Sequence, residues 1–285
     1  MIEENPSYTT DLFNSIQEIT EGGAGIVYKV TDKTDIYILK IYRSTKLPEA
    51  IYQEFSIMSN ISSGSFPRYY KLFKKLIHKD LKFKHIKNED PNEPHIAILC
   101  EYIEGKMILD ILGKSLCKQD LRILLKAIAA VVCELHLLNI VHRDIKAENV
   151  MLSKQKGVVL IDFDTACNDI SGIPENRVGT IDYLSYELVK RVKFNDLDDL
   201  TFEEWKKSDV WSLGVLFYEI AHGYLPFGKS SEEDSVIWRN ILKAPINITQ
   251  PADDPLIRNI IKHMLERNST NRISSLEVFR ALPAN

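Results

Sequence analysis

The chain has 285 residues, of which 45% are hydrophobic and 27% charged, and a formal net charge of −4. That length and balance describe a globular protein of one or two domains or lobes, and they exclude disordered and collagen-like classes. So mild an acidic excess gives no general attraction to nucleic acid or anionic membrane.

The four cysteines, Cys100, Cys117, Cys133 and Cys167, form no CxxC pair, so they read as free thiols of a reducing compartment. The start, Met1-Ile-Glu-Glu-Asn-Pro, lacks the basic flank and apolar core of a secretory signal. The most apolar stretch, Leu121 to Leu138, is interrupted by Arg122, Lys126, Glu134 and His136, which predicts a buried helix and no membrane span. A cytoplasmic or nuclear location is the expectation.

Residues 1–15 carry no strong periodicity and predict an extension, or one short element laid on the first lobe. From Ile16 the pattern is strand, glycine turn, strand: Ile16 to Thr20, Glu21-Gly22-Gly23-Ala24-Gly25, then Ile26 to Val30. Glycine suits a turn whose backbone amides must approach phosphate oxygens without a Cβ in the way, although a plain hairpin would look the same. Ile36 to Tyr42 reads as a strand in which Lys40 interrupts an apolar run and needs a partner charge, unless it lies on an edge and reaches solvent. Pro48 then opens an amphipathic helix carrying Tyr52, Phe55, Ile57 and Met58. Lys71 through Lys87 is lysine-rich and leads into an acidic turn ending at Pro94. It predicts a solvated loop, with docking of an acidic partner as the functional alternative. His95 to Gly105 is an apolar strand that turns polar at a glycine.

The apolar helix Leu121 to Leu138 delivers the chain to the most informative segment, Val141 to Met151, where His142 to Asn149 place six polar groups in eight positions. Asp144 suits taking a proton from a hydroxyl, Lys146 suits neutralising a transferred anion, and Asn149 offers an amide oxygen to a hard cation. Together these types suit phosphoryl transfer. Farther on, Val158 to Ile161 reads as a strand leading into Asp162-Phe163-Asp164. Lys207 to Val215 reads as an apolar helix with Asp209 and Gly214 out of place in it.

The order His142-Arg143-Asp144-x-Lys146-x-x-Asn149 resembles the catalytic loop of eukaryotic-type protein kinases, and seven further elements over about residues 16–280 agree with it. The resemblance implies an α+β, two-lobed protein kinase fold. A small antiparallel-sheet lobe with one main helix would occupy 16–103, and a mostly helical lobe 104–285. It further implies an ATP- and Mg2+-dependent phosphotransferase acting on Ser/Thr hydroxyls of a protein substrate, as a monomer, with no nucleic-acid or membrane partner. Lys146 and Thr180 carry the resemblance to the Ser/Thr branch.

Carried over by position, Asp144, Lys146, Lys40 and Glu54 are the catalytic group, with Glu54 the helix partner of Lys40 and Glu49 its fallback. Ile19, Thr20, Gly22, Gly25, Val27, Ile38, Lys40, Cys100, Glu101, Ile103 and Met151 would contact the nucleotide. Cys100 would stand at the back of the adenine pocket, backbone groups of Glu101 and Ile103 at the adenine edge, and Asn149 and Asp162 on magnesium. Asp209 would anchor the catalytic-loop backbone, and Arg272 would pair with Glu187. Thr20 replaces the first loop glycine, Ala24 the aromatic tip, Asp164 the glycine of Asp-Phe-Gly, and Ser185-Tyr186 the usual Ala-Pro. Asn176 stands at the common phosphosite, and Glu175 or a neighbouring acid is expected to supply the missing charge. These departures keep a rival open, a nucleotide-binding or scaffolding pseudokinase. A small-molecule kinase of related fold is the second rival.

Overall fold

The computed structural model describes residues 7–78, 93–114, 116–169, 179–194, 200–228, 232–245 and 254–283. Glu175, Asn176 and most of the lysine-rich stretch therefore lie outside the described residues. The chain divides into two compact units, Met1–Glu104 and Gly105–Asn285.

The smaller unit is built on β1 (Tyr8–Thr9), β2 (Ser15–Glu21), β3 (Gly25–Asp32), β4 (Asp35–Tyr42), α1 (Pro48–Ser59), β5 (Tyr69–Ile77) and β6 (His95–Glu101). Its strands form one sheet in the order β1-β5-β6-β4-β3-β2. The pairings are antiparallel except that β1 runs parallel to β5, so part of the leading segment is an edge strand of this sheet. Alternation along β3 and β4 sends Ile26, Tyr28, Val30, Leu39 and Ile41 into a core shared with Phe73, Leu76 and Ala97. Each such large side chain contributes about 1.5–3 kcal/mol on burial. Lys40 points to the opposite face from Leu39 and Ile41. Because β4 lies between β6 and β3, an edge lysine reaching solvent is ruled out. Pro48 opens α1 at its first turn, and the helix buries Ile51, Glu54, Ile57 and Met58.

The larger unit holds β7 (Gly105–Met107), α2 (Lys118–Leu137), β8 (Ile140–Val141), β9 (Val150–Ser153), β10 (Gly157–Leu160) and β11 (Cys167–Asn168). After them come α3 (Tyr186–Phe194), α4 (Phe202–His222), α5 (Asp234–Lys243), α6 (Pro255–Met264) and α7 (Ser275–Ala281). Helix α2 starts three residues before the expected Leu121, because the Cys117 sulfur accepts from the Asp120 amide as a cap. Helix α4 also starts earlier than its apolar run, since Thr201 and Glu204 form a capping box there. Gly214 lies in α4 where a Cβ would come within 2.8 Å of the Met264 Cβ, so glycine is what lets α6 pack against it. No helix among the described residues is long and apolar enough to cross a membrane.

Candidate active site

In the smaller unit the register sets the predicted side chains side by side. Thr20 pairs with Val27 and Val27 with Lys40 across β2, β3 and β4, while Ile38 pairs with Cys100 across β4 and β6. Lys40 Nζ lies 3.1 Å from Glu54 Oε1, so the helix glutamate is Glu54, and the fallback Glu49 is exposed in the first turn of α1. Gly25 closes the glycine turn through Gly22 N–H donating to its carbonyl at 2.9 Å. A Cβ at Gly25 would strike the Ile41 carbonyl at 2.1 Å, so that position demands glycine. Nothing lies within 4 Å of a Cβ built at Gly22 or Gly23, which leaves the tip backbone open.

An ion pair between Glu21 and Arg43 ties the turn to the end of β4, and the Arg43 amide donates to the Ala24 carbonyl at 2.9 Å. Ile19 is half exposed on β2, Cys100 is buried, and Ile103 is buried just after β6. The Glu101 amide donates to the Arg68 carbonyl at 2.8 Å, which narrows any adenine contact of Glu101 to its carbonyl.

In the larger unit, the turn after β8 is held from below. Asp209 accepts the His142 and Arg143 amides, each at 2.8 Å, and lies 3.1 Å from His136 Nε2. Thr165 donates to the His142 carbonyl at 2.8 Å. This over-determination keeps Arg143 at φ 68°, a left-handed value that costs a non-glycine residue about 1–2 kcal/mol, and Asp162 has a similar φ of 63°.

Between them stands Asp144. Its Oδ1 accepts from the Thr180 amide at 2.9 Å and the Thr180 hydroxyl at 2.7 Å. Its Oδ2 lies 2.7 Å from Lys146 Nζ and 3.2 Å from Asn149 Nδ2. Lys146 also donates to the Thr180 hydroxyl at 2.8 Å. Burial works against the Asp144 charge, yet the hydrogen bonds from Lys146 and Thr180 outweigh it and hold the carboxyl below the ordinary aspartate range. Asn149 and Asp162 are linked through Ile161, whose amide donates to the Asn149 carbonyl at 2.8 Å and whose carbonyl meets His142 Nε2 at 3.0 Å. Met151 lies on β9 opposite Met107 and Val159. Burial, opposed by Arg143, pushes the Cys167 thiol up to about 11, which makes it a packing group and not a nucleophile.

Gly179 explains how Thr180 reaches Asp144. A Cβ there would come within 2.4 Å of the Arg143 carbonyl and 3.2 Å of Asp144 Oδ1. Gly179→Ala is expected to push Thr180 off Asp144 and lower kcat by about 10- to 100-fold, with a Tm change of only a few degrees. Steady-state kinetics beside a thermal melt would check it, and wild-type kcat in a folded variant would refute the constraint.

Sequence patterning did not single out several contributors. Tyr42 was visible in principle, because it lies two residues after Lys40 on the same strand face. Tyr69, Lys46 and His136 were not, because they reach their partners only through tertiary packing.

The protein kinase domain family matches residues 13–281 of the chain. Serine/threonine-protein kinase cds1 of Schizosaccharomyces pombe is 30% identical over 204 residues, covering 66% of this chain and 41% of that protein. Serine/threonine-protein kinase Sgk1 of Fundulus heteroclitus is 26% identical over 281 residues, covering 96% of this chain and 60% of that protein. The cAMP-dependent protein kinase type 3 of Saccharomyces cerevisiae is 30% identical over 186 residues, covering 64% and 43%. The chain thus spans about two fifths to three fifths of the length of these relatives. Matched from residue 13 to residue 281, with the α+β units described above, this chain belongs to the protein kinase family.

Proposed function

We propose that the chain transfers the γ-phosphate of ATP to serine or threonine hydroxyls of protein substrates. The observation that carries this reading is the single hydrogen-bonded group formed by Asp144, Lys146, Asn149 and Thr180. A carboxylate held below its ordinary range is a weak base. Asp144 is therefore suited to orient an acceptor hydroxyl and receive its proton late. Lys146 carries its charge to within 2.7 Å of that carboxylate, so it lies where an incoming phosphoryl group would need neutralising. Lys40, held by Glu54, is a fixed cation for the phosphates at the glycine turn, whose open backbone at Gly22 and Gly23 leaves room for their approach.

The residues also fit magnesium. Asn149 and Asp162 offer an amide and a carboxylate oxygen, and no cage of three or more His, Cys, Asp or Glu exists among the described residues. Magnesium suits such a sparse set, since it keeps waters and phosphate oxygens as its other ligands. When bound it would neutralise charge on the phosphates. Asp164 is not among the residues with positive φ, so replacing glycine there demands no strained backbone in this arrangement.

The test is transfer from labelled ATP with magnesium to casein, myelin basic protein and the chain itself, comparing wild type with Lys40→Met and Asp144→Asn. Label on serine or threonine, lost in both variants, is the expected result. No transfer, alongside a nucleotide-induced rise in Tm, would replace this reading with a nucleotide-binding pseudokinase. Label passing to free amino-alcohols or sugars would replace it with a small-molecule kinase.

A further inference from the structure

Glu54 has more partners than pairing with Lys40 requires. Its side chain is 1% exposed, and each carboxylate oxygen is met at least twice. Oε1 receives Lys40 Nζ at 3.1 Å and the Tyr69 hydroxyl at 2.8 Å. Oε2 receives the Tyr42 hydroxyl at 2.7 Å and has Lys46 Nζ at 3.9 Å. These groups come from β4, β5 and the turn before α1. Lys46 Nζ also sits 4.4 Å from the centre of the Tyr42 ring, and the Tyr69 ring lies 6.5 Å from Phe55, the residue after Glu54. Burial, reinforced by Glu54, pushes both phenols well above their ordinary range, so both stay protonated and donate.

We propose that Tyr42 and Tyr69 are positioning residues that lock α1 with Glu54 at Lys40 before any nucleotide or partner arrives. The proposal rests on the phosphoryl-transfer reading, in which Lys40 must be held. A lone lysine–glutamate pair parts at little cost, because both ions regain water when a helix swings away. Here, moving α1 outward would strand two buried hydroxyls as well, and an unsatisfied buried donor is costly. The sheet itself therefore sets the position of the helix. A second consequence is that Lys40→Met leaves Glu54 compensated by Lys46 and the two phenols, so that variant stays folded.

The experiment uses the full chain with Tyr42→Phe, Tyr69→Phe and both together, which removes hydroxyls and keeps the rings. Amide exchange of residues 48–59 is measured without nucleotide and with a non-hydrolysable ATP analogue, beside kcat and KM for ATP. Tyr218→Phe, on α4, serves as the control for losing a buried hydroxyl. The double variant is expected to exchange about tenfold faster in α1 without nucleotide and to recover protection with the analogue. Its KM for ATP should rise more than its kcat falls, and Tyr218→Phe should match wild type in both readouts. Wild-type α1 protection in the double variant would overturn the lock, whatever the kinetics. Should the double variant fail to fold, each single variant is read by the same criteria. A wild-type chain without kinase activity would overturn the catalytic reading, while the exchange data would still decide the lock.

Discussion

Asp144→Asn is expected to lower kcat by about 10²- to 10⁴-fold while leaving the fold intact. The carboxylate collects four donors, two from Thr180 and one each from Lys146 and Asn149. An amide in its place must present its own NH2 to one side of that set. Facing Lys146, it opposes a cation with a donor; facing Thr180, it loses the acceptor that aligns the segment after Gly179. In the first case Lys146 loses the partner that parks it and in the second Thr180 loses its acceptor, so in both the acceptor hydroxyl of the proposed reaction loses its anchor. The turn itself survives, because Asp209 holds the His142 and Arg143 amides and Thr165 holds the His142 carbonyl.

The pH dependence of stability arises from the same contacts. Asp144 has its pKa lowered on folding, so its contribution is present above the unfolded value and is lost as pH falls through the folded one. The stability gap between wild type and Asp144→Asn should therefore shrink below about pH 4. Denaturant melts at pH 7 and pH 3 would show this. A variant that keeps more than about a tenth of wild-type kcat would remove Asp144 from the centre of the reaction.

Local signals foretold the parts of the molecule that depend on short-range patterning. The spacing of Asp144, Lys146 and Asn149, the glycine turn before β3, and the helix carrying Glu54 are all short-range, because turn chemistry and strand alternation act over a few residues. The polar Asp209 in an apolar helix was legible for a different reason: a buried charge must have partners, and the His142 and Arg143 amides are the ones it found. What stayed hidden depends on register between distant strands. Nothing near Tyr69 in sequence says that it pairs opposite Cys100 and delivers a hydroxyl to Glu54. A short element laid on the first lobe was one of the two expectations for residues 1–15, but that it is a parallel edge strand, Tyr8–Thr9, was hidden, since two residues carry no periodicity and its pairing with β5 depends on a partner more than sixty positions away. Gly179 reads in sequence only as half of a motif. Its physical reason, the approach of its Cα to the Arg143 carbonyl, needed coordinates.

The largest loss of stability is expected from Arg272→Met. The guanidinium is fully buried and bidentate to Glu187, with Nη1 to Oε1 at 2.8 Å and Nη2 to Oε2 at 2.9 Å. It also donates to the carbonyls of Glu266 at 2.8 Å and Lys207 at 2.7 Å, and lies 5.0 Å from the ring of buried Trp211. Methionine keeps much of the volume and none of the donors, so it leaves a carboxylate and two carbonyls without that partner. Breaking one side of such a pair costs about 3–5 kcal/mol, which for a chain of this size is a fall in Tm of roughly 6–20 °C. Arg122 offers the contrast. It is also bidentate, to Asp254 at 2.6 and 2.9 Å, but its side chain is 38% exposed. The Arg122 end of the pair is open to water, and buried Asp254 keeps the Leu256 and Ile257 amides as donors, so Arg122→Met should lower Tm less than Arg272→Met does. Replacing both partners, as Arg272→Met with Glu187→Leu, should recover part of the loss, because no uncompensated charge remains buried. Melting temperatures of the four proteins decide the matter. If Arg272→Met melts no lower than Arg122→Met, or the double variant melts lower than Arg272→Met alone, burial of the pair is not what stabilises the larger unit there.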